Sequence, residues 1–380
     1  MPPGAREPGT ALALSGGGFR ATLFHLGTLW RLNELKLLRD LKAITSVSGG
    51  SITSGLLGLR WKQLTFDASG EATNFADVIV KPLRRFCSQG CDVHTVLKGW
   101  LNPFRQPNYY LAQHYRKTLF GDATLQDLPS DDEGPRFTIY ATNLLTGVSV
   151  RMTRKRLADY RIGEILDPQI PLATAVAASS AFPPLYVPLK LKTAPGTWQS
   201  LKGADLFANE AYRRVLYLGD GGIYDNMGLQ SIEDRYETVL VSDAGSPFAD
   251  RTAPGAIRFS QISRLLRTLA IIDRESRAQR RKWLMREIKR GDMKGTFWGI
   301  ATKIDDYPLA IAGNPAAMMP YNDVAKKLAH VRTRLNCFSD QEQGWLINWG
   351  YALADAALRA HVLDPGVPAG NWPVPEHKLA

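Results

Sequence analysis

Four turns rich in glycine and small polar residues, each following an apolar run, constrain the fold more than any other feature of this chain. They are SGGG (15–18), SVSGGS (46–51), GDGG (219–222) and SDAG (242–245). Apolar strands that alternate with helical segments predict an α/β fold whose sheet is covered on both faces. In such folds the site lies at the carboxyl ends of the strands. We therefore expect the four turns to lie together in space.

The composition is that of a globular protein with a basic surface. Hydrophobic residues make up 44% and charged residues 22% of the 380, and the net charge is +11. Such a charge fits an anionic membrane surface, nucleic acid or simple solubility. Cys87, Cys91 and Cys337 lack the second Cys/His pair that a zinc site requires, so we expect free thiols in a reducing compartment and no bound metal.

No segment predicts export or a membrane span. The N-terminus lacks the layout of a signal peptide. The longest uncharged stretch, 170–189, is interrupted by Pro183, Pro184 and Pro188, which disfavours a lipid-spanning helix. We therefore expect a soluble, cytoplasmic protein whose contact with membranes, if any, is peripheral.

The segment around Ser48 has the layout of a nucleophile elbow, in which a serine projects from a tight turn between a strand and a helix. An apolar strand, 41–45, precedes the turn, and a helical pattern, 51–61, follows it. Gly50 supplies the small residue after Ser48, whereas Ser46 stands where glycine is usual before it. Ser48 is the best candidate nucleophile of the segment.

The other serines of this segment have simpler interpretations. Ser46 and Ser51 have less suitable flanking residues, and we expect their hydroxyls to hydrogen bond within the turn. Ser54 falls inside the helical pattern, where we expect it to pack.

The triple glycine predicts a site for negative charge. Gly16, Gly17 and Gly18 precede a helical pattern and can direct several backbone N–H groups at one point. Phe19 and Arg20 stand where a phosphate-binding loop requires lysine and serine or threonine. Beside a serine nucleophile, an oxyanion hole is favoured over a phosphate site. A plain tight turn is the alternative.

A serine nucleophile needs a base, and aspartates occupy the suitable positions. His25 lies between apolar residues, which predicts a core histidine, and none of the six histidines ends a predicted strand. Asp220 and Asp243 both do, beside glycine. A carboxylate that touches a serine hydroxyl can act as its base if the surroundings raise its pKa. Strand-end reasoning does not choose between the two.

Three motifs in this order, GGGFR (16–20), SVSGGS (46–51) and DGG (220–222), resemble the patatin-like phospholipase family. Further similar segments are ATNLLTG (141–147), AVAASSAFPPLYVP (175–188) and DGGIYDNMG (220–228), and two C-terminal segments, 295–307 and 346–358, resemble a bacterial branch. The resemblance implies a three-layer α/β sandwich with a mostly parallel central sheet at 9–245. A mainly helical extension at 246–380 would pack on that core.

The resemblance also implies residue roles. Ser48 matches the nucleophile and Asp220 the base of a Ser-Asp dyad that uses no histidine, metal or organic cofactor. The matching oxyanion and substrate-binding residues are Gly16, Gly17, Gly18, Arg20 and Gly49. Ser46 and Ala21 depart from the family pattern, in which glycine is usual at both positions.

The implied activity is that of a serine lipid acyl hydrolase, of phospholipase A or lysophospholipase type. Its substrate would be a phospholipid or another acyl-ester lipid. The alternative is a catalytically weak or inactive lipid-binding or regulatory member of the same fold. The sequence does not predict the lipid class or the oligomeric state.

Residues 264–290 predict a basic amphipathic helix. They include ten basic and three acidic residues, with apolar residues interleaved. Such a helix could lie on an anionic lipid surface. The interpretation we favour packs it over the core with its arginines paired or solvated. Nucleic acid is not expected as a partner, because no recognition helix or aromatic-basic RNA motif accompanies the charge.

Overall fold

The computed structural model describes residues 6–89, 107–183, 188–248, 261–333 and 335–379. The described strands are β1 (Glu7–Leu14), β2 (Leu41–Ser46), β3 (Arg136–Asn143), β4 (Val148–Met152), β5 (Arg156–Asp159), β6 (Gly163–Leu166), β7 (Leu189–Lys192), β8 (Val215–Asp220), β9 (Tyr236–Asp243) and β10 (Lys294–Gly299). The described helices are α1 (Gly18–Glu34), α2 (Gly49–Leu59), α3 (Lys81–Gln89), α4 (Pro107–Tyr115), α5 (Leu172–Ser179), α6 (Ala211–Arg214), α7 (Gly222–Asp225), α8 (Gln261–Arg290), α9 (Asp323–Leu328) and α10 (Asp340–His361). Cys91 and Pro184 lie outside the described residues.

A single sheet joins all of these strands. Its main path runs β10-β9-β1-β2-β3-β4-β5-β6, and β8 pairs with both β3 and β7. The pairs from β10 to β3 are parallel, which confirms the predicted parallel centre. From β3 to β6 the pairs are antiparallel. The first of these is the hairpin that the alternating pattern at 136–153 predicts.

Helices cover both faces of the parallel part, as the three-layer prediction requires. On β1, Leu12 and Leu14 belong to the hydrophobic cluster that includes α1, α2 and α10. Ala11 and Ala13 face the opposite cluster, into which α8 buries Leu284. The alternation of side chains along one strand thus separates the two helical layers.

The C-terminal segment adds a strand as well as the predicted helices. β10 extends the sheet beside β9, and α10 packs along α1. At this crossing a Cβ atom on Gly27 would overlap the Ile347 carbonyl, and one on Gly350 would overlap the Phe24 carbonyl. Both segments contribute to one hydrophobic cluster. The boundary between residues 245 and 246 stays a prediction.

The pairing register brings the four glycine-rich and polar turns together. Leu14 pairs with Ser46 on one side and with Ser242 on the other, so three parallel strands end side by side. β8 arrives from the opposite direction. Ser46 pairs with Ile139 and Asp220 with Ala141, so β2 and β8 meet end to end along β3.

Candidate active site

Ser48 occupies a strained turn between β2 and α2. Its backbone has φ 51° and ψ −119°, a conformation that costs a non-glycine residue free energy and persists where the surroundings hold it. The Ser48 amide donates to the Ser179 hydroxyl at 2.9 Å, and the Gly50 amide donates to the Val47 carbonyl at 2.8 Å. The side chain of Ser48 lies against the glycine loop, with its Cβ atom 3.2 Å from the Cβ position at Gly16.

The neighbouring serines form a hydrogen-bonded chain beneath this turn. The Ser46 hydroxyl donates to the Thr138 carbonyl at 3.3 Å, and Ser51 donates to Ser46 at 3.0 Å. Ser51 also shares a hydrogen bond with Ser179 at 2.9 Å. These contacts confirm the expectation for Ser46 and Ser51. They also give the unusual Ser46 a structural role, since glycine there would lose both hydrogen bonds.

Asp220 is a buried carboxyl group beside Ser48. One of its oxygens accepts the Gly222 amide at 2.7 Å. Burial raises its pKa to about 7, against the effects of the Gly222 amide and of a hydrogen bond from the Ser48 hydroxyl. A carboxylate with that pKa can take a proton from a serine near neutral pH and return it later.

Asp243, the other candidate base, is committed elsewhere. Burial alone would raise its pKa, but the nearby Arg277 guanidinium and the Gly245 amide hold the pKa below its ordinary value. Arg277 lies 3.2 Å away and the Gly245 amide donates at 2.8 Å. An ion-paired carboxylate of lowered pKa is a poor base. The structure thus separates two aspartates that strand-end reasoning left equal.

His25 is a core residue, as predicted. It is fully buried, and its ring nitrogens lie 2.8 Å from the Ser242 hydroxyl and 2.9 Å from the Ser15 carbonyl. Burial lowers its pKa to about 4. With both nitrogens engaged, it joins the ends of β1 and β9.

The glycine loop lies against the elbow. The Gly16 amide donates to the Asn226 carbonyl at 3.1 Å, so this amide fixes the loop. Gly17 and Gly18 adopt φ 144° and 59°, which favour glycine. A Cβ atom on Gly49 would overlap the Gly18 carbonyl. In the described part of the chain, no backbone carbonyl accepts from the amides of Gly17, Gly18 or Gly49.

Arg20 braces this loop from behind. Its guanidinium is buried and donates to the carbonyls of Ala329 and Val331 at 3.2 and 2.9 Å. It also donates to the Ala244 carbonyl at 2.6 Å, and that carbonyl lies against Gly17. Among the described contacts, Arg20 therefore holds the loop in place rather than pointing toward Ser48.

Sequence reasoning missed three residues that adjoin the site. Ser179 supports the Ser48 amide, and Asn226 accepts the Gly16 amide through its carbonyl. Asp273, on α8, is buried beside the Asn226 side chain; burial raises the pKa of Asp273 and Asn226 acts against that rise. Asn226 and Ser179 both lie within segments that resemble the family, but no local pattern gives either residue a role, and nothing marks Asp273. Their roles depend on contacts between elements.

Two concave regions lie away from these residues. One, of about 390 Å³, lies between Ile165, Pro168 and Leu191, and the other, of about 210 Å³, adjoins Gln113 and Thr174. Neither is lined by a residue of the four glycine-rich and polar turns. No group of three metal-ligating side chains occurs in the described ranges. Among the helices described there, none has the length and apolar character needed to cross a bilayer.

Comparisons with known proteins agree on one family. A family model described as Patatin-like phospholipase matches residues 12–232. The Arabidopsis thaliana protein described as Triacylglycerol lipase SDP1L is 30% identical over 183 residues, which are 47% of this chain and 20% of that protein. The chain thus spans about a fifth of that relative's length.

Similar solved structures are more distant. Human GIVD cytosolic phospholipase A2 is 12% identical with a TM-score of 0.48, and the match covers 93% of this chain and 61% of that one. VipD from Legionella pneumophila is 16% identical with a TM-score of 0.36, covering 92% of this chain and 66% of that one.

Proposed function

Because the chain belongs to the patatin-like phospholipase family, we propose that it hydrolyses acyl esters of lipids with Ser48 as nucleophile and Asp220 as base. The observation that carries this proposal is the pairing of a strained serine with a buried carboxyl group whose pKa is raised to about 7. Strain and a shifted pKa both cost stability and are typical of catalytic sites.

The reaction proceeds in two halves. The Ser48 oxygen attacks the ester carbonyl carbon while Asp220 takes the hydroxyl proton. The tetrahedral intermediate collapses, and the alcohol leaves with the proton that Asp220 returns. Asp220 then takes a proton from water, whose oxygen attacks the acyl-enzyme. The fatty acid leaves, and the proton returns to Ser48.

The amides of Gly17, Gly18 and Gly49 are suited to stabilise the oxyanion. They lie at the amino ends of α1 and α2, where helix dipoles favour negative charge. Loss of one such donor typically lowers the rate about a hundredfold or more. Gly16 and Arg20 contribute indirectly, by holding this loop against Ala244 and Asn226.

The test compares Ser48→Ala with Ser54→Ala on a short-chain ester, a lysophospholipid, a phospholipid and a triacylglycerol. We expect Ser48→Ala to lose activity by at least a thousandfold, because the nucleophile is gone. Ser54 is the matched control, since its hydroxyl is buried in the same segment without a partner in the described structure. Its variant should keep wild-type activity.

Two results would contradict the proposal. Activity that survives Ser48→Ala would exclude the dyad. A folded wild-type protein that turns over none of the four esters but binds lipid would support the alternative, a lipid-binding or regulatory member of the fold. The assay also assigns the lipid class.

We further propose that the protein works at a lipid surface. Leu144, Leu145, Phe182 and Ile223 form an apolar rim near the Asp220 end of β8, with side chains 41–51% exposed. Leu144 and Ile223 both lie against Gly219, and Phe182 follows Ala181, whose carbonyl accepts the Asp220 amide at 2.8 Å. Exposed apolar groups gathered at one site are typical of an interaction surface.

The first half of α8 extends this rim. Leu265, Ile271 and Ile272 are exposed by 60%, 49% and 58%, and the last of these precedes Asp273, which contacts Asn226. Arginines interleave with these residues. Apolar and basic side chains on one helix match the chemistry of an anionic lipid surface.

A further inference from the structure

The side chain of Asn226 lies where the glycine loop meets the base. Its oxygen fills the space beside Gly16 and Gly222, where a Cβ atom on either glycine would overlap it. An oxygen of Asp220 borders the same space, 3.0 Å from the Cβ position at Gly222. The Asn226 amide group therefore lies between the glycine loop and Asp220, the proposed base, and sets the distance between them.

Asp273 sets the orientation of that amide. Burial raises the pKa of Asp273, and the Asn226 side chain beside it acts against that rise, as a hydrogen-bond donor does. An ionised carboxylate only accepts, so the amide nitrogen donates to Asp273 and the amide oxygen is left facing the glycines. Arg277 holds Asp273 in turn through its Nε at 3.1 Å, and its Nη1 lies 3.2 Å from Asp243. Four polar side chains thus run from the end of β9 to the dyad.

Asp273 also acts on Asp220 through its charge. Burial raises the pKa of Asp220 most, and the negative charge of Asp273 raises it further. The Gly222 amide and the Ser48 hydroxyl act in the opposite direction. The pKa of Asp273 is itself raised, by burial most and by the charge of Asp243, while the ion pair with Arg277 lowers it and favours the ionised form. Asp273 is on α8, outside the residues 12–232 that match the family model.

We propose that Asp273 is a positioning residue for the Ser48–Asp220 dyad, acting through Asn226. It orients the amide that spaces the glycine loop from Asp220. This inference rests on the proposed function, since it assigns Asp273 to the same site. A segment beyond the family match thereby takes part in the reaction without touching the substrate.

The test is the Asp273→Asn variant, assayed on a hydrolysed ester across pH 5–9. An amide at position 273 can donate, so the Asn226 side chain loses its fixed orientation. We expect kcat to fall about tenfold to a hundredfold with little change in KM, because misplacement of the reacting groups acts on the chemical step. The acidic limb of kcat/KM should move to lower pH, because removal of a nearby negative charge favours the ionised form of Asp220.

Two further variants give the test its controls. Glu275→Gln makes the same charge change on the same helix, at an exposed residue that accepts a hydrogen bond from Gln279 at 2.8 Å. It should leave both kcat and the acidic limb of kcat/KM unchanged. Asp273→Glu keeps an acceptor for the Asn226 amide. It should recover much of kcat and keep the limb near that of the wild type.

The outcomes distinguish the two proposals. This inference alone would be overturned if Ser48→Ala is inactive while Asp273→Asn keeps the kcat of the wild type and the same acidic limb of kcat/KM. A lower melting temperature with an unmoved limb would also overturn it, since a purely structural role predicts that pattern. Activity that survives Ser48→Ala would overturn the proposed function itself.

Discussion

At Asp220, the requirements of the proposed reaction and of folding oppose each other. An unfolded chain hydrates the ionised carboxylate, whereas the fold buries it and raises its pKa to about 7. Such a rise corresponds to about 4 kcal/mol of stability that is lost once the group is ionised in both the folded and the unfolded state. The group that the reaction needs is therefore a cost to the folded state.

This cost gives a prediction for Asp220→Asn. The raised pKa means that the stability contribution is fully present below the unfolded-state pKa, near 4, and is lost as the pH rises through 7. A neutral amide avoids the loss. We expect the variant to be inactive but to melt several degrees higher than the wild type at pH 8, with the difference shrinking toward pH 4.

Thermal unfolding followed by circular dichroism at several pH values measures this difference. An equal melting temperature at pH 8 would show that the wild-type carboxylate is not destabilising there. Ser54→Ala, which removes no charge and a hydroxyl without a partner in the described structure, serves as the control and should show no comparable dependence on pH.

The residues of the candidate site differ in whether the sequence immediately around them indicates their place in the site. Ser48, Gly16, Gly17, Gly18 and Gly49 could be predicted because a tight turn leaves its mark on adjacent positions. The choice of Asp220 over Asp243 needed the resemblance, and the structure gives a physical reason in the Arg277 ion pair. Ser179 and Asp273 reach the site from distant segments, which no local pattern records.

At the scale of elements, the two halves of α8 differ in how deeply their apolar side chains are buried. Its second half buries Leu284 completely against the sheet and packs Trp283 and Ile288 beside it, which confirms the interpretation that we favoured. Its first half leaves Leu265 and Ile272 exposed. Periodicity could not reveal this division, because both halves have the same helical spacing of apolar residues.

The crossing of α1 and α10 gives a prediction for Gly350→Ala. A methyl group at this position would overlap the Phe24 carbonyl, which belongs to the rigid backbone of α1. Alanine favours a helix by about 1 kcal/mol over glycine, but overpacking costs typically about 1–3 kcal/mol, and more where backbone must move. We expect a net loss of stability in urea unfolding.

Gly196→Ala provides the comparison, since no described atom lies within 4 Å of a Cβ atom there. It should leave the free energy of unfolding nearly unchanged. If Gly350→Ala were as stable as the wild type, the close approach of these helices would be excluded.

Strand positions were more predictable than strand directions. The apolar runs ending at Leu14, Ser46, Asp220 and Asp243 all form strands. However, β8 is antiparallel to β3, although its sequence looks like that of the parallel strand β9. Direction is set by the connections and by pairing with β7, which are properties of the chain's path rather than of the strand.

At the scale of the whole molecule, the exposed apolar side chains are unevenly distributed. The apolar rim and the first half of α8 include seven of the eleven large hydrophobic residues that are exposed in the described chain. The remaining four are Tyr109, Tyr160, Leu166 and Ile311. This distribution supports the proposal that the protein contacts lipid through the edge of the sheet at which Ser48 and Asp220 lie.

The prediction at this scale concerns an Ile271→Ser/Ile272→Ser double variant. We expect the wild type to sediment with phosphatidylcholine vesicles and more strongly when they contain phosphatidylglycerol. The double variant should lose most of this binding but keep its activity on a soluble short-chain ester. Ile311→Ser, at a residue 89% exposed between β10 and α9, should bind vesicles as the wild type does.

Unchanged binding of the double variant would exclude α8 from the lipid-facing surface. Loss of activity on the soluble ester as well would mean that the substitutions disturb the dyad, and that α8 supports the site rather than the membrane contact.

The end-to-end meeting of β2 and β8 along β3 has a consequence for synthesis on the ribosome. The elbow emerges early, but its base comes from a strand made much later, and Arg277 and Ala329 come later still. Domains generally fold as units once their chain is complete. A nascent chain that exposes Ser48 therefore has no assembled Ser48–Asp220 pair, and the proposed ester hydrolysis requires that synthesis has passed Ala329.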